Sequence, residues 1–134
     1  MTLGATFQFR LDQTTGVPVY RQVIDQVLLA IASGVLKGGD QLPTVRQVAV
    51  DLAINPNTVL RAYRELEIRG TLTTQQGVGT YVTDVAVVED DAQRQQRLNR
   101  LAADCAARAG AEGFTAGELA ACITELAAEQ DRRQ

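Results

Sequence analysis

The chain contains no histidine, one methionine and two cysteines. Histidine is the commonest general base and the commonest metal ligand, so its absence removes many hydrolase and metalloenzyme chemistries. Cys105 and Cys122 lack CxxC spacing, and each falls among apolar residues of helical period. That setting predicts buried, reduced thiols rather than a metal or redox centre. No run reaches the about 18 apolar residues of a membrane span, and residues 1–11 lack the charged start and long apolar stretch of a secretory signal. The expected compartment is the cytoplasm, with no membrane contact. Clustered carboxylates and a nucleophile beside a base are also missing, and Gly77-Val78-Gly79 is too short for a phosphate-cradling loop. The chain is therefore not expected to be an enzyme, and no cofactor or metal is expected.

What is present is 134 residues with 46% hydrophobic content, enough for one small core and an appendage. The net charge of -3 is unevenly spread. Up to Asp84, seven basic residues (Arg10, Arg21, Lys37, Arg46, Arg61, Arg64, Arg69) balance seven acidic ones (Asp12, Asp25, Asp40, Asp51, Glu65, Glu67, Asp84). The whole deficit lies in the remainder, with its Glu89-Asp90-Asp91 run, and an acidic segment repels phosphate. Any surface for nucleic acid belongs to the first part.

Residues 5–11 (ATFQFRL) alternate apolar and polar side chains and read as a short edge strand or an extended arm. From Pro18, placed at a first helical position, the apolar residues Tyr20, Val23, Ile24, Val27, Leu28 and Ile31 recur at three and four up to the stop at Gly34. The stretch GVLKGGDQLP reads as a turn. Thr44 with Gln47 forms a capping box that opens a short second helix ending near Ala53. Asn55 reads as the next cap with Pro56 behind it, and so tight a connection points to a helix-turn-helix. The third helix runs to about Arg69. It places Val59, Ala62, Tyr63 and Leu66 inward and, at about 100° per residue, gathers Asn57, Arg61 and Arg64 outward with Thr58 and Glu65 at the edge. The segments TLTT (71–74) and TYVT (80–83) around Gln75-Gln76-Gly77-Val78-Gly79 read as a β-hairpin.

Beyond Asp84 a helix carries Leu98, Leu101, Ala102, Cys105 and Ala109 on one stripe and breaks at residues 110–113. Thr115 and Glu118 form a second capping box, and a last helix carries Leu119, Cys122, Ile123 and Leu126. The apolar surface of this helical pair is too thin for an independent domain, and a second copy is the economical partner. Leu98, Leu101, Cys105, Leu119, Ile123 and Leu126 are the expected dimer contacts. The fold class is thus α+β, mostly α: a winged helix-turn-helix of three helices and a hairpin over residues 1–84, then a two-helix dimerisation hairpin over 85–134.

These residues resemble the GntR family of regulators, in its short YtrA-like branch. The likeness covers residues 18–82, including the L-P-x-x-R block at Leu42 to Arg46 and the N-P-N-T-V block at Asn55 to Val59, followed by Arg61-Ala62-Tyr63. Many members carry arginine directly after the T-V or T-L pair; here Leu60 takes that place and Arg61 follows. The resemblance implies a homodimer on double-stranded operator DNA, controlling a nearby operon, often one for an ABC transporter. The tail of about fifty residues also resembles the YtrA-like branch and leaves little room for a ligand cavity of roughly 300 Å3. No small-molecule effector is assigned.

In a helix-turn-helix the second helix of the pair reads base edges while neighbouring elements grip the backbone. Asn57, Thr58, Arg61 and Arg64 are the expected readers, with Arg61 suited to guanine and Asn57 to adenine, and Arg64 within reach of phosphate. Thr44 and Arg46 stand where a helix start favours a phosphate oxygen. In the wing, Gln76, Gly77, Gly79 and Thr80 can approach the backbone or minor groove, or the glycines can serve the turn alone. The alternative is a protein-interaction adaptor on a winged-helix scaffold, which would lack salt-dependent DNA affinity.

Overall fold

The stripe through Val23, Ile24, Val27 and Ala30 forms the buried face of helix α1, Val19–Ala32, in the computed structural model of the chain. The structure describes residues 7–84 and 90–133, with side chains as far as Glu129. It resolves two compact units, Met1–Val85 and Ala86–Gln134. In the first, α1 is followed by α2 (Val45–Leu52), α3 (Pro56–Ile68), β1 (Leu72–Gln75) and β2 (Gly79–Val82). Pro18 sits one position earlier than expected, as the residue before α1, where its carbonyl accepts the N–H of Gln22 at 3.1 Å.

Each connection is closed by local hydrogen bonds. At the start of α2, Thr44 Oγ1 accepts the Gln47 N–H at 3.1 Å and Gln47 Oε1 accepts the Thr44 N–H at 2.9 Å, the expected capping box. The helix stops on Ala53, whose φ of 54° is left-handed. There the Ile54 N–H donates to Ala49 O at 3.0 Å and the Ala53 N–H to Val50 O at 3.3 Å, the bond pair of a Schellman stop. Asn55 Oδ1 then accepts the Asn57 N–H at 2.8 Å and Pro56 opens α3, so only residues 53–55 separate the two helices.

Strands β1 and β2 pair antiparallel, with Leu72 opposite Val82 and Gln75 opposite Gly79. Residues 38–39 form part of the turn read from the sequence, and residues 39–42 also run against β2, with Gln41 opposite Tyr81 in an isolated antiparallel bridge. Gly39 N–H donates to Val82 O (2.9 Å), Val82 N–H to Asp40 O (2.8 Å) and Leu42 N–H to Thr80 O (2.8 Å). The turn reading missed this because the pairing is non-local and the segment shows no alternation.

The arm before α1 has no regular secondary structure over residues 7–12. It is held instead by two glutamines one turn apart on α1. The side-chain amide of Gln26 bonds the backbone N–H and C=O of Arg10, and that of Gln22 bonds the N–H and C=O of Asp12 at 2.9 Å each. Alternate arm residues are thus paired as a strand's would be, by side chains. Ala5 and Thr6 of the predicted arm lie outside the described residues.

The core joins Phe7, α1, Leu36, Leu42, α2, α3, Leu72 and Val82, and α3 packs on α1, α2 and β1. Val59, Ala62, Tyr63 and Leu66 of α3 are at most 1% exposed. The Tyr63 hydroxyl donates to Pro43 O at 2.7 Å, and burial pushes its ionisation well above the usual tyrosine range.

The second unit is a helical hairpin, α4 (Asp91–Ala111) and α5 (Ala116–Arg133). Asp90 caps α4, and the Thr115–Glu118 capping box opens α5 as expected, with Glu118 N–H donating to Thr115 Oγ1 at 3.1 Å. Helix α4 continues through Gly110 to Ala111, two residues into the predicted break, and ends within it. Among the described side chains of this unit only Ala109 is buried. Cys105 and Cys122 are both exposed, which corrects the expectation of buried thiols. They lie on apolar helix faces, but two helices alone present too little surface to enclose them. No described helix is long and apolar enough to cross a membrane.

Candidate nucleic-acid interface

Because α3 turns its whole apolar face inward, its other face is left to solvent. Asn57, Arg61 and Arg64 are exposed there, and Thr58 is half-buried. With Leu60, Glu65 and the 86% exposed Ile68, the first three line a shallow recess of about 380 Å3. The two carboxylates on the same helix, Glu65 and Glu67, are engaged elsewhere. Glu65 pairs with Arg69 at 3.6 Å, and Glu67 accepts a hydrogen bond from the Thr74 hydroxyl at 2.7 Å. Among the described residues neither Arg61 nor Arg64 has an acidic partner, so the face keeps two unneutralised guanidinium groups. The guanidinium of Arg61 lies over the ring of Tyr20 on α1, 3.8 Å from its centroid.

At the start of α2, Thr44 and Arg46 are exposed. The capping box uses one lone pair of the Thr44 hydroxyl and leaves its proton able to donate outward. The N–H groups of Val45 and Arg46 have no acceptor among the described residues, which leaves two donors at a positive helix end beside an unpaired arginine.

At the wing tip Gln76 and Gly77 are exposed. Gly77 has φ 78° in the turn, and a Cβ there would meet nothing within 4 Å. Gly79 has φ 151° and approaches Gln41 so closely that a Cβ would lie 2.5 Å from its Nε2. Backbone conformation accounts for both glycines. The Thr80 hydroxyl is 3.2 Å from that of Thr74, within a polar ladder that leads to Glu67. The outward trio of α3 is brought together on one surface, whereas Thr80 faces its cross-strand partner.

Sequence reasoning missed two neighbours of this surface. Tyr20 was assigned by periodicity to the apolar stripe of α1, and Gln41 to a turn. Both act through contacts distant in sequence, to Arg61 and to the wing.

Two capped helices joined by a tight turn, packed on a third and followed by an antiparallel hairpin, define a winged helix-turn-helix. The family model "Bacterial regulatory proteins, gntR family" matches residues 19–82. A solved structure of YtrA from Sulfolobus acidocaldarius, described as a GntR-family transcription factor, is 30% identical with a TM-score of 0.54, over 72% of this chain and 97% of that one. The chain belongs to the GntR family, in its short YtrA-like branch.

A transcriptional regulator from Oenococcus oeni is 33% identical with a TM-score of 0.54, over 90% of this chain and 98% of that one. The "HTH-type transcriptional repressor YtrA" of Bacillus subtilis (strain 168) is 42% identical over 77 residues, 58% of this chain and 59% of that protein. The chain spans about three-fifths of the length of the curated relatives it matches first, 59% to 61%. These relatives are named as transcriptional regulators.

Proposed function

We propose that the chain is a sequence-specific DNA-binding transcriptional regulator, a cytoplasmic repressor that binds a palindromic operator as a homodimer. The observation that carries this reading is the outer face of α3. It is displayed by a capped turn and holds Asn57, Arg61 and Arg64, with no carboxylate among the described residues pairing to the arginines. Arg61 and Asn57 read base edges, Thr58 flanks them, and Arg64 reaches phosphate or a further base. Thr44, Arg46 and the free N–H groups of α2 hold one phosphate, and Gln76 and Gly77 at the exposed wing tip meet the backbone, with Gly79 and Thr80 shaping the strand behind them.

The same reading gives residues 85–134 the task of dimerisation through Leu98, Leu101, Cys105, Leu119, Ile123 and Leu126. A two-fold dimer sets its reading helices about 34 Å or a multiple of it apart along the duplex, which makes the operator a short palindrome. Repression rests on the name carried by the Bacillus relative and on occlusion of the polymerase. A neighbouring transporter operon is the first place to seek the operator.

The test is binding to the DNA upstream of the chain's own gene, against scrambled competitor, across a salt series. Selective binding that weakens about 10^3-fold or more between 50 and 200 mM salt is expected if six or more phosphates are contacted. Arg61→Ala is expected to lose about tenfold of the selectivity, whereas Arg46→Ala weakens all sequences alike. Binding without selectivity or salt dependence, unchanged in Arg61→Ala, would favour the adaptor.

A further inference from the structure

The stack of Arg61 on Tyr20 joins the reading helix to α1 at the one arginine best placed to meet a base. Tyr20 is half-buried, anchored against the core by α1, so its ring is a fixed platform. Arg61 is exposed and otherwise has four rotatable side-chain torsions to order. A guanidinium stacked on a ring uses its flat face and leaves its N–H donors, which lie in the plane, free at the edge. A base edge needs those same in-plane donors, two of them together, for O6 and N7 of guanine. Stacking and base pairing by Arg61 are therefore compatible, and the stack removes much of the freedom that binding would otherwise have to freeze.

We propose that Tyr20 is a positioning residue for DNA recognition, holding the Arg61 guanidinium edge-outward on the reading face of α3. The proposal rests on the operator-binding reading above.

The experiment measures affinity of the full chain for its selected operator and for operators with single base-pair changes, in wild type, Tyr20→Phe, Tyr20→Leu and Arg61→Ala. Phenylalanine keeps the stack and should keep the discrimination. Leucine should reduce discrimination at the Arg61 base pair about two- to fivefold, the range of an exposed cation–π contact, while affinity for scrambled DNA stays unchanged. Because leucine changes packing as well as removing the ring, fluorinated phenylalanines at position 20 provide a shape-conserving series. Discrimination should fall stepwise as fluorine drains the ring's negative face. A flat fluorine series overturns the proposal, as does tighter operator binding by Tyr20→Leu, which would mean that the stack withholds Arg61 from DNA. Wild-type selectivity lost in Arg61→Ala but insensitive to Tyr20 refutes the positioning role alone. An unselective wild type refutes the operator reading and this proposal together.

Discussion

The winged unit and the helical hairpin are built from the same pattern, apolar residues at three and four, yet the outcomes differ. Val23, Ile24 and Val27 of α1 are wholly enclosed, whereas Leu98, Leu101 and Ile123 of the hairpin remain 51%, 59% and 52% exposed. The winged unit closes because three helices and a sheet meet around α3, with Tyr63 bonded to Pro43 at the centre. The hairpin has only α4 and α5 to set against each other. An amphipathic stripe thus reports that a face requires cover and leaves the identity of the cover to topology.

The sharpest way to break this comparison is to truncate a matched leucine in each unit. Leu66→Ala, at a fully enclosed site on α3, should cost about 2–5 kcal/mol in urea unfolding. Leu101→Ala should leave unfolding of the winged unit unchanged and lower the association measured by sedimentation. Equal destabilisation by both, with association unaffected, would mean that the hairpin stripe is covered within the chain.

A smaller effect is expected at the polar centre of the core. Tyr63→Phe removes the hydrogen bond to Pro43 and should cost about 1–2 kcal/mol at neutral pH. Burial raises the folded-state ionisation of Tyr63 above its unfolded value, so the folded state favours the protonated phenol. The stability this contributes is complete below about pH 10 and is lost as pH rises beyond it. Chemical unfolding between neutral and strongly alkaline pH should show that decline in wild type, and a shallower one in Tyr63→Phe.

The smallest effect is a gain. Ala53 holds the left-handed stop of α2 with a side chain that disfavours it, so Ala53→Gly should stabilise by about 0.5–1 kcal/mol, read as a raised melting temperature. A loss instead would show that the cost of glycine in the unfolded chain outweighs the strain.

Much of this architecture was legible because it is local. Thr44 with Gln47, Asn55 with Pro56, and Thr115 with Glu118 announce helix starts within four residues, and the structure shows the bonds they imply. The outward trio of α3 followed from helical period alone. What escaped was long-range: the bridge of residues 39–42 to β2, the glutamine clamps on the arm, the stacking of Arg61 on Tyr20. Each depends on a partner that the fold supplies. Exposure of the thiols was misread for the same reason, since an apolar neighbourhood in sequence is not an enclosure in space.

The segment 39–42 is a mechanical link. It hydrogen-bonds β2 on one side and runs directly into the capping box of α2 on the other. Backbone hydrogen bonds thereby tie the base of the wing to the start of α2. In the proposed complex the wing and the start of α2 therefore meet the duplex as linked parts rather than as separate ones.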